Sequence, residues 1–179
     1  GGKTLGYQYA ILASLAENAH TSILLIDGVS MEGMRVGGVR VVRSGATGTF
    51  KSISINGCQF GARGDWGGTP KIISVGAGVS ELVVTGNIID GTGVPGKYGV
   101  FIEDNFSGGG IISGNHFLDV YSAIRDPGMG SGIRVGVNSY KGTNRIRYEG
   151  GGTSGSARGG IDPIITDIAA WQPQQVGTT

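Results

Sequence analysis

Glu103 and Asp104 close the stretch "YGVFIED", and Arg125 and Asp126 close "SAIRD" 22 residues on. Carboxylates that recur at equivalent places are the groups that chemistry on glycosidic bonds requires. Two carboxyl groups about 5 Å apart suit a retaining glycosidase. Like charges that close also push one pKa up, as a general acid needs. Aligning "FIED" with "AIRD" puts Ile102 over Ile124, Glu103 over Arg125 and Asp104 over Asp126. With the two isoleucines inward, Glu103 and Arg125 face out as a carboxylate beside a cation. The same four residues also read as a surface ion pair with two turn aspartates. Asp90 and Asp119 form a second pair of the same kind.

Trp66, in "RGDWGG", is an exposed-aromatic candidate. A Trp on a loop can stack on the apolar face of a sugar ring or plug a subunit contact. No metal and no cofactor is expected. His20 and His116 are far apart, and no His–Cys spacing resembles a zinc site. "GVSMEG" does not match the nucleophile elbow, and "GGKT" lacks the upstream glycine and strand of a phosphate loop.

These residues must be positioned by some regular scaffold, and the sequence repeats itself. "ELVVTGNIID" (Glu81–Asp90) returns as "GIISGNHFLD" (Gly110–Asp119). Aligned on Gly28, Gly57, Gly86, Gly114 and Val137, five units are spaced 29, 29, 28 and 23 residues apart. Four residues before that slot stand Leu24, Ile53, Leu82, Gly110 and Ile133; two before stand Ile26, Ile55, Val84, Ile112 and Val135. Three after it stand Met31, Phe60, Ile89, Phe117 and Tyr140, so Gly110 alone breaks the apolar pattern. The alternation before the slot reads as a strand with one buried face, and glycine in the slot permits a positive φ and a sharp turn. The residue after the slot is Val29, Cys58, Asn87, Asn115 or Asn138, which predicts an asparagine ladder over the last three units. A further strand per unit reads as "VRVVR" (Val39–Arg43), "KIISV" (Lys71–Val75), "YGVFIED" (Tyr98–Asp104) and "SAIRD" (Ser122–Asp126).

Two or three short strands per unit with no helix between them cannot form βαβ units. They can form stacked coils of a parallel β-helix, about 4.8 Å apart. A β-sandwich also shows many short strands, but would not keep offset and spacing together over five units. The composition agrees. Gly is 37 of 179 residues, about three times ordinary usage, which demands many tight turns. A net charge of +1 gives no global pull to nucleic acid or to an anionic membrane, and no apolar run reaches a membrane span. One cysteine, Cys58, excludes an intrachain disulfide. No initiator Met or leader is read at the start, so a fragment or processed product is expected.

The organisation expected is a cap or first coil over 1–21, the β-helix over 22–149, a Gly/Ser-rich joint over 150–160 and a cap or subunit-contact tail over 161–179. Within "YQYAILASLAENAH" (Tyr7–His20), Ile11, Leu12, Leu15 and Ala16 have a helical spacing, so either a short capping helix or an irregular first coil is expected.

The Gly-Asn turns after "VVT" and "IIS", the coil near 28 residues and the high glycine content resemble the right-handed parallel β-helix of bacteriophage tailspikes and pectate-lyase-like proteins. The resemblance covers roughly Ser22 to Glu149 and is one of coil pattern. It implies an all-β, right-handed solenoid of about five coils, assembled as a homotrimer. It implies a partner, the host's surface polysaccharide (capsule or lipopolysaccharide), and a place in the virion tail after assembly in the host cytoplasm. Secretion is the alternative location. Cleavage by a glycoside hydrolase mechanism would fall to Glu103, Asp104 and Asp126, with Trp66 and Arg125 binding substrate. The alternatives are a noncatalytic shaft or adhesin segment and, after it, a secreted lyase or epimerase. The lyase branch implies clustered aspartates on calcium and an arginine base, whereas Asp104, Asp126 and Arg125 are scattered over two coils.

Overall fold

The computed structural model describes residues 9–34, 36–43, 45, 47–61, 71–91, 97–126, 132–142, 146–150 and 164–165. Trp66, the loop 92–96 and most of the expected joint and tail lie outside them.

Every paired strand is parallel, and three sheets run the length of the molecule. The first contains β1 (Tyr9–Leu15), β4 (Gly37–Arg43), β7 (Lys71–Val75), β10 (Tyr98–Ile102), β13 (Ser122–Asp126) and β16 (Ile146–Gly150). The second stacks β2 (His20–Asp27), β5 (Thr49–Asn56), β8 (Val79–Thr85), β11 (Gly109–Ser113) and β14 (Gly132–Val135). The third stacks β3 (Ser30–Glu32), β6 (Gln59–Gly61), β9 (Ile88–Asp90), β12 (His116–Leu118), β15 (Ser139–Lys141) and β17 (Ile164–Ile165). The first five successive trios are each one rung, and β16 and β17 add the first and third strands of a further one, so the described chain is a β-solenoid.

The register makes the repeat physical. Leu24 pairs with Ile53 and Ile53 with Leu82, while Ile26, Ile55, Val84, Ile112 and Val135 form one continuous column. Met31, Phe60, Ile89, Phe117 and Tyr140 form another, and Phe117 and Tyr140 stack with centroids 5.6 Å apart. These columns fill the tube and are buried, save Leu24 at the end of its column, which is partly buried. The glycine slots turn as expected, with φ between 59° and 68° at Gly28, Gly57, Gly86 and Gly114. Gly110, the one exception in the apolar pattern, has φ 147°, and a Cβ there would sit 1.8 Å from the Leu82 carbonyl oxygen. Only glycine fits that approach.

The asparagine ladder is present inside the turn corner. Asn87 N donates to Asn115 Oδ1 (3.0 Å) and Asn115 N to Asn138 Oδ1 (3.0 Å); at the top, Cys58 N donates to Asn87 Oδ1 (2.9 Å). The side-chain amides continue the chain, Asn87 Nδ2 to Asn115 Oδ1 at 2.8 Å and Asn115 Nδ2 to Asn138 Oδ1 at 3.0 Å. Each amide so satisfies buried polar groups where the strands break.

The helical spacing at the N-terminus does not give a helix. β1 pairs with β4 from Tyr9↔Gly37 to Leu15↔Arg43 and forms the first rung. Pairing to a preformed edge imposes period 2: Ile11 and Ala13 pack on the core, while Leu12 turns outward and is 58% exposed. Tertiary pairing outweighs a 3.6-residue pattern over so short a stretch.

Candidate functional site

The outer face of the first sheet carries the chemistry. One outward column reads Leu12, Arg40, Ser74, Phe101 and Arg125. A neighbouring one holds Lys71 and Tyr98. Phe101 is sandwiched between rungs. The Lys71 Nζ lies 3.6 Å from its ring centroid and the Arg125 Cζ 4.5 Å from it. Tyr98 meets the ring edge-on at 4.9 Å, and Tyr121 meets Tyr98 edge-on at 6.4 Å. Cations over a ring face and edge-to-face rings are both attractive, so the cluster is self-locking.

The sequence alignment of β10 with β13 needs correction. Val100, not Ile102, pairs with Ile124, and Phe101 pairs with Arg125. Arg125 therefore lies over Phe101 rather than Glu103. A two-residue slip keeps every side chain on its own side of the sheet, so alternation alone could not detect it. Asp126 follows Ile124 on the inward side and is 3% exposed; it does not face Asp104 across the surface.

Glu103 and Asp104 each have a cation. Lys71 Nζ donates to Glu103 at 3.0 and 3.3 Å, and the buried Ser74 hydroxyl donates to the same carboxylate at 2.7 Å. Arg125 reaches Asp104 Oδ1 at 3.2 Å, although Asp104 is 77% exposed. Of the residues expected from sequence, Glu103, Asp104 and Arg125 are thus brought together, while Asp126 is turned away. Asp90 and Asp119 are offset too. Asp90 pairs with Leu118, and Asp119 has φ 47° in the turn beyond, its carboxylate against Gly142. His116 Nδ1 bonds the Ser139 hydroxyl on the third sheet, and His20 Nδ1 bonds Thr49 Oγ1 at 2.8 Å.

A groove of about 650 Å³ runs beside this cluster. Its walls come from four rungs: Leu12; Arg40, Val42 and Arg43; Lys71 with Gly76 and Ala77; then Glu103, Asp104 and Asn105. Three rung spacings make it about 14 Å along the solenoid axis. Arg40 is fixed by Tyr9, donating to its hydroxyl at 3.0 Å and lying 5.3 Å from its ring. A second cleft, about 430 Å³, lies around the corner toward the second sheet and shares Arg43, Ala77 and Asn105 with the first.

Lys97 anchors the opposite corner, just before Tyr98. It is fully buried, its Nζ donates to the Gly91 carbonyl at 3.2 Å, and its own carbonyl accepts from Tyr121 N and Ser122 N. Burial lowers its pKa to about 8, with the Asp90 charge acting in the opposite direction. The backbone bonds of Lys97 tie the Tyr98 and Tyr121 strands to each other.

Lys71, Tyr98, Tyr121, Arg40, Arg43 and Asn105 were not singled out from sequence. Strict alternation in "YGVFIED" groups Tyr98 with the inward Val100 and Ile102, so the strand pattern gave no signal for it. The arrangement offers rigid aromatic edges and fixed donors and acceptors on a flat face. Its carboxylates already accept from cations, which suits hydrogen bonding to a ligand better than proton transfer to one. Comparison with protein-family models, curated proteins and solved structures returned no match.

Proposed function

We propose that the outer face of the first sheet is a polysaccharide-binding surface that holds a glycan chain along the solenoid axis. The observation that carries this reading is the groove lined by Arg40, Lys71, Glu103 and Asp104 beside the Tyr98–Phe101–Tyr121 aromatic cluster. Sugars present apolar ring faces and many hydroxyls, and aromatic edges beside fixed polar groups answer both. Binding is favoured over cleavage because Glu103 and Asp104 are engaged by Lys71 and Arg125, and Asp126 faces the core.

The coil pattern's resemblance to phage tailspikes supplies a setting: a segment of a virion tail that engages capsule or lipopolysaccharide during adsorption. The homotrimer belongs to the same proposal. Phe101, 7% exposed beneath its cations, offers little apolar contact area. The outward column Leu25, Ser54, Val83 and Ile111 of the second sheet is the better candidate, since Leu25 and Ile111 are both exposed. Light scattering should find a species near three times 18.3 kDa. A monomer at micromolar concentration would remove the trimer from the proposal.

The test of function is titration of the protein against a panel of bacterial surface oligosaccharides. Wild type should bind at least one, and Tyr98→Ala with Tyr121→Ala should weaken that binding while leaving the thermal transition cooperative. Binding unaffected by the pair, or release of oligosaccharide products by wild type, would overturn the reading.

A further inference from the structure

We propose that the junction of the two clefts selects an acidic substituent of the bound glycan, a carboxylate or a phosphate, through Arg43. The inference rests on the glycan-binding reading above and names what that face discriminates.

Arg43 ends β4, where the first sheet gives way to the corner, and it lines both clefts together with Asn105. Its neighbours among the cations are occupied. Lys71 is paired with Glu103, Arg125 with Asp104, and Arg40 donates to Tyr9. The Arg43 side chain has no hydrogen-bond or ion-pair partner among the described residues. Arg40, Arg43, Lys71 and Arg125 stand against Glu103 and Asp104, four charges against two, so the face carries a formal excess of positive charge.

The side chain is also seated. A Cβ added at Gly78 would lie 3.1 Å from Arg43 Cδ and 3.5 Å from Arg43 Cβ, so the aliphatic stem runs over that glycine. Gly78 has φ 84°, and the same Cβ would approach the Gly48 carbonyl oxygen to 2.7 Å. Backbone conformation and space therefore both reserve position 78 for glycine, and the bare site gives the stem its bed. A guanidinium held by its stem presents its donor fork with little entropy left to lose. That planar fork matches a carboxylate or phosphate in two parallel hydrogen bonds. Asn105 supplies an amide on the other lip of the junction. A neutral hydroxyl would engage such a fork less strongly, so the charge of the substituent becomes the point of discrimination.

The experiment uses matched oligosaccharide pairs, each uronate-containing member set beside its carboxyl-reduced counterpart, and phosphorylated members beside their dephosphorylated forms. Wild type should prefer the acidic member of a pair by about tenfold, as expected for a hydrogen bond to a charged group. In Arg43→Gln the affinities for the acidic and neutral members of a pair should converge, and Arg43→Lys should recover part of the preference. Which family of pairs shows the preference tells carboxylate from phosphate. Binding of neutral members with no acidic preference overturns the inference and leaves the glycan-binding reading intact. So does a preference that survives in Arg43→Gln. Absence of binding to any member overturns both.

Discussion

Lys71 lies on the face of Phe101, its ammonium 3.6 Å from the ring centroid, while the same ammonium grips Glu103 from the next rung at 3.0 Å. One cation thus ties an aromatic ring and a carboxylate into a fixed arrangement, and Arg125 closes the ring from the other side. The outer face is held by contacts between rungs rather than by any single strand. Preorganisation of this kind lowers the entropy that a ligand must offset on binding.

Phe101→Leu should test that arrangement directly. Leucine keeps apolar bulk but removes the ring from two cations and from the Tyr98 edge. The expected loss of unfolding free energy is about 1–2 kcal/mol, from cation–π and edge-to-face terms at a partly desolvated site. Urea denaturation measures it. A variant as stable as wild type would show that the cations sit there without holding anything.

The asparagine ladder carries a larger prediction. Asn115 accepts from Asn87 N and Nδ2 and donates to the Val84 carbonyl at 2.9 Å, all in a buried corner. Asn115→Ala should leave several of these groups without partners at once. The expected cost is about 2–5 kcal/mol, given about 1–3 kcal/mol for each unsatisfied buried group. A smaller effect, below about 1 kcal/mol by thermal or chemical denaturation, would mean that water replaces the amide.

The columns through Val84 and Ile89 were legible because burial on one side of a strand writes itself as period 2, and because the turn glycines fix a common origin for counting. The same alternation hid the register between β10 and β13. Slipping the pair by two residues leaves Ile102 and Ile124 inward and Arg125 outward, so the sequence gives no sign that Phe101 is its true neighbour. Tyr98 was missed for a related reason: its importance lies in being placed near Phe101 and Tyr121, and that is a property of cross-rung pairing. Asp126 looked like a surface acid because Asp is common at turns, yet its parity with Ile124 already assigned it to the inward side. The first strand was obscured by Leu12, an outward leucine that completes a false helical stripe with Ile11 and Leu15.

Lys97 makes stability depend on pH in a defined window. Its folded-state pKa of about 8 lies below the ordinary 10.5 of the unfolded chain, because burial disfavours the ammonium. Below pH 8 both states hold the proton and the buried charge costs its full amount, on the order of 3 kcal/mol. Between pH 8 and 10.5 the folded state gives up its proton first, so this group's penalty shrinks as pH rises. Lys97→Met should therefore be more stable than wild type at pH 7, by about 1–3 kcal/mol after allowing for the lost bond to the Gly91 carbonyl. The advantage should diminish at pH 10, and comparing the two proteins cancels the titration of other groups. A gap between the denaturation midpoints that stays constant or widens would contradict this account.

Glu103 and Asp104 separate binding from cleavage. Both line the groove, but their surroundings differ. Asp104 is mostly exposed and its pair with Arg125 is screened, so Asp104→Asn should change stability by less than about 1 kcal/mol and glycan affinity by about twofold or less. Glu103 accepts from Lys71 and from the buried Ser74 hydroxyl, so Glu103→Gln weakens two contacts that hold the cation on Phe101. The expected result is a drop in glycan affinity of about three- to tenfold, one to two hydrogen-bond equivalents, with the fold retained. Neither variant should alter turnover, because the wild-type protein should release no products from the polysaccharide it binds. The decisive measurement is chromatography of the polysaccharide after long incubation with each protein. Products from wild type that vanish with either substitution would make that carboxylate catalytic and the ion pair a resting arrangement. Products that persist in both variants would move the chemistry off this face altogether.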